Sequence, residues 1–150
     1  MAKLVNRYRA NHDLPKIPLS KALTIVGNRH VRDLYKHDGL NGSLHSWSDA
    51  PYDAKNPDTY PAMWEAPQRL KTGYPGNGYE NAYGASGFPV TPKGAFQAWK
   101  NSPPHNAVML NEGIWANISW NALGIGIHKG FAVLWFGGES DPTGKPARES

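Results

Sequence analysis

From Ala122 to Gly137 the chain reads ALGIGIHKGFAVLWFG. Leu123, Ile125 and Ile127 alternate with small or polar residues, the period of a strand with one face on a core. Lys129-Gly130 supplies a two-residue connection into FAVLWF, so the stretch predicts an antiparallel hairpin. Gly124 and Gly126 fall together on the opposite face of the first strand. A strand face stripped of side chains is one that something large must approach closely.

Upstream, the pattern changes to that of helices. LVNRYRANH, residues 4–12, predicts a short helix, and the Pro-punctuated link DLPKIPLS follows it. Ser20 is placed to cap a second helix over 21–37. Leu23, Val26, His30, Leu34 and His37 share one stripe at helical spacing, and Gly39 is placed to end the helix as a C′ glycine. Thr91 followed by Pro92 predicts a helix over 92–100, with Ala95, Phe96 and Trp99 buried. Ser102-Pro103-Pro104 repeats that signature and opens another short helix carrying Val108 and Met109. Helices first and a hairpin last predict an α+β fold, with helices covering a small antiparallel sheet.

Residues 38–63 are dense in Gly, Asn, Ser, Asp and Pro and predict a long ordered loop. Loops of that length are commonly functional. Its Trp47, Tyr52 and Tyr60 suggest that it packs on the body. MWEAPQRL predicts a helical turn, and GYPGNGYENAYGASG a turn leading into a short strand near Glu80. The domain is expected over 1–138, with a disordered tail over 139–150, where GGESDPTGKPARES is polar and Gly/Pro-rich.

Composition excludes several classes. With no cysteine, neither a disulfide framework nor a Cys-based zinc or nucleophile site is available. No apolar run approaches the roughly 18 residues of a membrane span. MAKLVNRYRA turns polar at once, unlike a signal peptide, so the chain reads as cytosolic or as a mature secreted domain. Residues 1–40 hold eight Lys/Arg against three Asp/Glu, a bias that a solvated helical face explains. No recognition-helix, RNP-type or zinc-finger pattern points to nucleic acid. No HExxH, GxSxG or P-loop occurs, and the GxG of GIGIHKG lies inside the hairpin. Asn41-Gly42-Ser43 and Asn117-Ile118-Ser119 are glycosylation triplets of the kind that also arise by chance.

Six histidines remain. His30 and His37 read as packing or boundary residues of the second helix; His12 and His128 read as solvated. His45 lies in the long loop, and His105 in the first turn of a helix. There the macrodipole disfavours an imidazolium, and a neutral ring is what a metal ligand or general base requires. Glu80 is a lone acid in an uncharged stretch, suited to a structural hydrogen-bond hub or to a site carboxylate.

Taken in order, five segments resemble the CAP superfamily, the cysteine-rich secretory, antigen 5 and plant pathogenesis-related group whose module is called the SCP domain. NRYRANHDLPKIPLSKAL resembles its opening helix and link, and RHVRDLYKHDGLNGSLHS the stretch carrying its first site histidine. QRLKTGYPGNGYENAYG resembles its GEN-type motif. AFQAWKNSPPHNAVMLN resembles the bacterial form of its second histidine motif, and ALGIGI with VLWFG its closing strands. The likeness runs over about residues 4–137.

The resemblance implies a three-layer α-β-α sandwich with a central antiparallel sheet, and a cleft site of two histidines and two acids. His45 matches the first histidine, Glu80 the GEN-type acid and His105 the second histidine. The second acid is absent, and Ser102 is nearest to its position. The family's disulfides are absent too. The longer segment NEGIWANISWNALG brings Trp115 and Trp120, which either line the cleft or cover the sheet. The implied function is a secreted or envelope module, extracellular or periplasmic, monomeric, binding a protein, peptide or lipid ligand in its cleft. Zinc or another divalent ion on His45 and His105 is optional. The alternatives are a metal-dependent, peptidase-like hydrolase, for which Glu80 and His105 are the catalytic candidates, and a lipid- or sterol-binding module.

Overall fold

The bare glycine face of the hairpin receives a helix. In the computed structural model, which describes residues 1–147, helix α2 (Lys21–Lys36) lies directly on strand β2 (Ala122–His128). A Cβ added at Gly124 would stand 2.2 Å from the Leu23 carbonyl carbon, and one at Gly126 would stand 2.2 Å from the Gly27 carbonyl oxygen. Strand β3 (Phe131–Gly137) pairs antiparallel with β2, and strand β1 (Tyr79–Gly84) pairs antiparallel with β3, giving the order β1-β3-β2. The hairpin turn is Lys129-Gly130, with Lys129 at φ 55°.

Alternation along the strands divides the core in two. Leu123, Ile125, Leu134 and Phe136 face one side and pack with Val5, Phe96, Trp99 and Met109. These last four come from helices α1 (Ala2–Ala10), α5 (Pro92–Lys100) and α6 (Pro103–Leu110). Val133 and Trp135 face the other side, with Leu23 and Val26 of α2, Trp47, and Met63 and Ala66 of the short helices α3 (Pro61–Trp64) and α4 (Ala66–Arg69). The result is the α-β-α sandwich, with a core cluster on each face of the sheet.

Local signals explain the helix ends. Ser20 accepts from the Leu23 amide at 3.0 Å, and Thr91 from the Gly94 amide at 3.0 Å. After α2 the left-handed conformation begins one residue earlier than the Gly39 signal indicates. Asp38, Gly39, Leu40, Asn41 and Gly42 have φ of 52°, 74°, 51°, 59° and 84°. Three of the five carry side chains, each at a cost of about 1–2 kcal/mol. This turn redirects the chain from α2 toward His45.

Arg9 departs from the solvated reading of the basic N-terminal third. It is buried, and its Nη1 donates to the Met109 carbonyl and to Asn111 Oδ1, both at 2.7 Å, which ties α1 to the end of α6.

The tail from residue 139, expected to be disordered, has specific partners instead. Tyr74 Oη donates to the Glu139 carbonyl at 2.6 Å, and the Lys21 amide donates to the Gly144 carbonyl at 2.9 Å. Asp141 Oδ2 accepts from Ser20 Oγ at 2.6 Å and from the Ala22 amide at 2.8 Å. The carboxylate therefore sits at the N-terminus of α2, where its charge is favoured. Residues 148–150 of the expected tail lie outside the described residues. Replacing Asp141 by alanine is expected to cost about 1 kcal/mol, the usual price of a lost helix cap, read as a lower urea midpoint at unchanged slope.

Candidate functional site

Edge strand β1 organises the candidate site. Its residues alternate, so Glu80 points to the α2 side while Tyr79 joins the opposite core and Asn81 reaches α6. Asn81 Nδ2 donates to the His105 carbonyl at 3.1 Å. His45 arrives from the loop above the sheet and His105 from the first turn of α6 below it. Both line one cleft of about 430 Å³ together with Glu80 and Asn81.

Glu80 has its side chain fully buried, and both its oxygens are engaged. Oε1 accepts from His45 Nδ1 at 2.8 Å. Oε2 meets Nδ1 of His30, the histidine that sequence reading assigned to packing or a helix boundary. His30 is indeed buried, yet its polar atoms do more than fill space. Its Nε2 lies 2.9 Å from the Ser46 carbonyl oxygen. A carbonyl only accepts, so Nε2 carries a proton. A carboxylate also only accepts, so Nδ1 carries one too, and the ring is an imidazolium.

The electrostatics agree. Burial pushes His30 down, but the charge of Glu80, the hydrogen bond to it and the Ser46 carbonyl outweigh burial and hold its pKa above the ordinary value. Burial pushes Glu80 up, and His30, through charge and hydrogen bond, outweighs it with help from His45. The imidazolium stacks on Trp47, ring centroids 4.3 Å apart, with the edge of Trp135 at 6.2 Å.

The second half of the site is arranged differently. Ser102, at the N-cap position of α6, does not cap the backbone; its hydroxyl hydrogen-bonds His105 Nδ1 at 2.7 Å. The lowering of His105 expected from sequence is found, with two further causes close at hand. Burial comes first and the neighbouring His45 second, and together they hold the ring below its ordinary pKa.

Each of the four expected residues thus has a defined place. His45 and Glu80 are bonded, Ser102 and His105 are bonded, and the two imidazoles share the cleft with their Nδ1 atoms engaged. With Nδ1–H committed to the carboxylate, a neutral His45 keeps its Nε2 lone pair for the cleft. Glu80 presents no free oxygen, and among the described residues no group of three or more His, Cys, Asp or Glu side chains is disposed to hold a metal ion. A divalent ion would find two imidazole nitrogens here, one fewer than the three protein ligands of a catalytic zinc site.

Sequence reasoning missed two parts. One is His30, whose only signal was a polar residue on an otherwise apolar stripe. The other is most of the aromatic wall of the cleft: Tyr52, Tyr60, Trp64 and Tyr79 join Trp115, for which the sequence left both roles open, and all five are half-buried. The two tryptophans of the longer segment divide their roles. Trp115 lines the cleft, while Trp120 is buried and donates to the Val108 carbonyl at 2.8 Å. Of the remaining histidines, His37 is the C-cap residue of α2, His12 is exposed, and His128 is half-buried with its ring edge-on to Tyr35 at 5.1 Å.

Comparisons with known proteins bear on this geometry. The family model of the cysteine-rich secretory proteins, CAP, matches residues 2–114. A search of curated proteins gave no match. Among solved structures, an extracellular protein containing an SCP domain from Bacillus anthracis is similar at TM-score 0.64 and 22% identity, over 89% of this chain and 37% of that one. A cysteine-rich secretory protein from Staphylococcus aureus is similar at TM-score 0.59 and 14% identity, over 92% of this chain and 37% of that one. An outer surface protein from Borrelia burgdorferi is similar at TM-score 0.66 and 14% identity, over 93% of this chain and 90% of that one. The chain spans little more than a third of the first two structures, and at these identities the likeness speaks for the fold.

Proposed function

This chain belongs to the cysteine-rich secretory protein family, CAP, and on that footing we propose that it is a ligand-binding module acting outside the cytoplasm through the cleft between His45 and His105. The observation that carries this reading is the engagement of Glu80. Its side chain is fully buried and its two oxygens face His30 and His45. A general base must reach the proton it removes, and both Glu80 oxygens are committed to histidines beneath the cleft surface. The carboxylate holds the histidines in place, and the cleft surface is left for a ligand. That the similar structures include an extracellular and an outer-surface protein supports the location.

The binding reading is tested by titrating a mixture of small organic fragments into the ¹⁵N-labelled chain. Shifts grouped on His45, Tyr79, His105 and Trp115 are expected; a cleft that responds to none of them removes the reading. A broad peptide and ester panel is expected to show no zinc-dependent turnover.

A divalent ion would be held by the two imidazoles alone, where it would act as a Lewis acid toward a bound group. Zinc followed by calorimetry should therefore bind with less than the roughly 10 kcal/mol of structural zinc sites, and His45→Ala with His105→Ala should abolish what heat there is. Affinity at the structural-site level would contradict the two-ligand count.

A further inference from the structure

We infer that the cleft takes a neutral saccharide, its sugar rings stacked on the aromatic wall and its hydroxyls donating to the floor. This rests on the binding reading above and names the chemistry of the ligand.

The wall is continuous. Tyr52 stacks on Tyr60 with centroids 5.3 Å apart, Tyr60 meets Trp64 at 5.6 Å, Trp64 meets Tyr79 at 6.5 Å, and Tyr79 meets Trp115 at 5.2 Å. These five rings come from the long loop, α3, β1 and the 3₁₀ turn Gly113–Trp115. Scattered exposed aromatics need no explanation, but a contiguous half-buried row lining a cleft marks a surface built to be covered.

The floor is rich in acceptors. His45 gives its Nδ1 proton to Glu80, so in the neutral ring Nε2 is an acceptor. Asn81 lines the cleft with its Nδ2 spent on the His105 carbonyl, and its Oδ1 is buried without a partner. Asn81 is fully buried, so a small outward shift of its amide would bring Oδ1 to the cleft, where a ligand that donates would satisfy it. Glu112 adds a carboxylate at the rim, and no lysine or arginine lines the cleft. A phosphate, sulfate or fatty-acid headgroup would have no counter-charge there.

The ligand therefore needs a flat apolar face, many donors and no negative charge. A pyranose ring has one face of C–H groups and a belt of O–H groups. An extended peptide suits the site less well. The β1 edge that it would pair with is already occupied at Ala82, whose carbonyl accepts from Trp99 Nε1 at 3.1 Å.

The test titrates the N-acetylglucosamine tetramer and maltotetraose, separately, into the ¹⁵N-labelled chain. Tetramethylammonium chloride and inorganic phosphate are the comparison probes. Saturable shifts at the Trp64 and Trp115 indole N–H are expected from at least one saccharide and none from phosphate. Binding should weaken about tenfold or more in Trp115→Ala and in Tyr60→Ala, the loss of one stacked ring. Amide shifts outside the cleft check that each variant folds. Silence toward both saccharides at millimolar concentration, tetramethylammonium binding at the same indoles in their place, or saccharide binding that survives both substitutions would each overturn the inference. If both saccharides fail while organic fragments still shift the cleft, only the saccharide class is lost. If nothing shifts the cleft, the binding reading falls with it.

Discussion

Replacing His30 by alanine is expected to destabilise the protein by about 3–5 kcal/mol, more than replacing either His45 or His105. The reason is what the substitution leaves behind. Glu80 is fully buried, and without His30 its Oε2 loses both a counter-charge and a hydrogen bond. Removing one member of a buried ion pair strands the other, whereas removing both with apolar residues of similar size is often tolerated. The double variant His30→Leu with Glu80→Leu should therefore recover much of the loss in urea unfolding. It should not recover the cleft, because His45 loses the acceptor that fixes its ring. A single His30→Ala variant within 1 kcal/mol of the parent would show that the pair is not ionic.

The pair also makes a signed prediction about pH. His30 is held above the ordinary histidine value of 6.5, so its contribution is complete below 6.5 and drains as pH rises through the folded value. Glu80 is held below the ordinary 4.5, so its contribution is complete above 4.5 and drains as pH falls through its folded value. The stability advantage of the parent over the Leu-Leu variant is thus fullest between pH 4.5 and 6.5 and declines on the alkaline side. His105 works in the opposite sense. Its pKa is held below 6.5, so the folded state resists protonating it and loses stability as pH falls below 6.5. Repeating the series in a His105→Gln background separates the two contributions.

Why the sequence yields some of this and not the rest is a matter of range. The Ser20 and Thr91 caps, the proline-led helix starts and the glycine-faced hairpin act within a few residues, so they can be read from a short window. The candidate residues His45, Glu80 and His105 stood out only weakly on their own and were joined by the resemblance to a family motif. His30 escaped because a histidine on an apolar helical stripe reads as core. Its partner Glu80 lies 50 residues away, and nothing local records their pairing. Asp141 escaped for the same reason: a polar, Gly/Pro-rich segment reads as tail until a helix N-terminus 119 residues earlier needs an acceptor. The aromatic wall draws one or two rings from each of four segments, so no stretch of sequence displays it. Ser102 was placed correctly at the start of α6, yet its hydroxyl serves the His105 ring rather than the backbone.

Alanine at Gly126 or Gly124 is expected to be the most damaging single-methyl change in the chain, enough to abolish cooperative unfolding. At Gly126 the new Cβ would meet the Gly27 carbonyl oxygen at 2.2 Å and carbon at 2.4 Å; at Gly124 it would meet the Leu23 carbonyl carbon at 2.2 Å and oxygen at 2.3 Å. These obstacles are backbone atoms of α2, so no side-chain rotation relieves them, and the helix must lift off the sheet. Overpacking of an ordinary core site costs about 1–3 kcal/mol. Here the displaced element carries Leu23, Val26, Leu34 and His30, all at 0–1% exposure, and the cost multiplies across the interface. Gly27→Ala looks at the same contact from the helix side, where its Cβ would meet the Gly126 nitrogen at 3.0 Å and the Ile125 carbonyl carbon at 3.1 Å. Shifts of a few tenths of an ångström accommodate that, so its loss should be much smaller. Gly87→Ala is the control, because no atom lies within 4 Å and only its φ of 84° opposes the side chain, at about 1–2 kcal/mol. Urea unfolding should rank the four as Gly126 and Gly124 far worse than Gly27 and Gly87. Because α2 carries His30, even a partly folded Gly126→Ala protein should lose the His30–Glu80 contact, visible as a His45 ring no longer held at one nitrogen. A Gly126→Ala protein that melts within a few degrees of the parent would mean that α2 does not rest on the strand backbone as described.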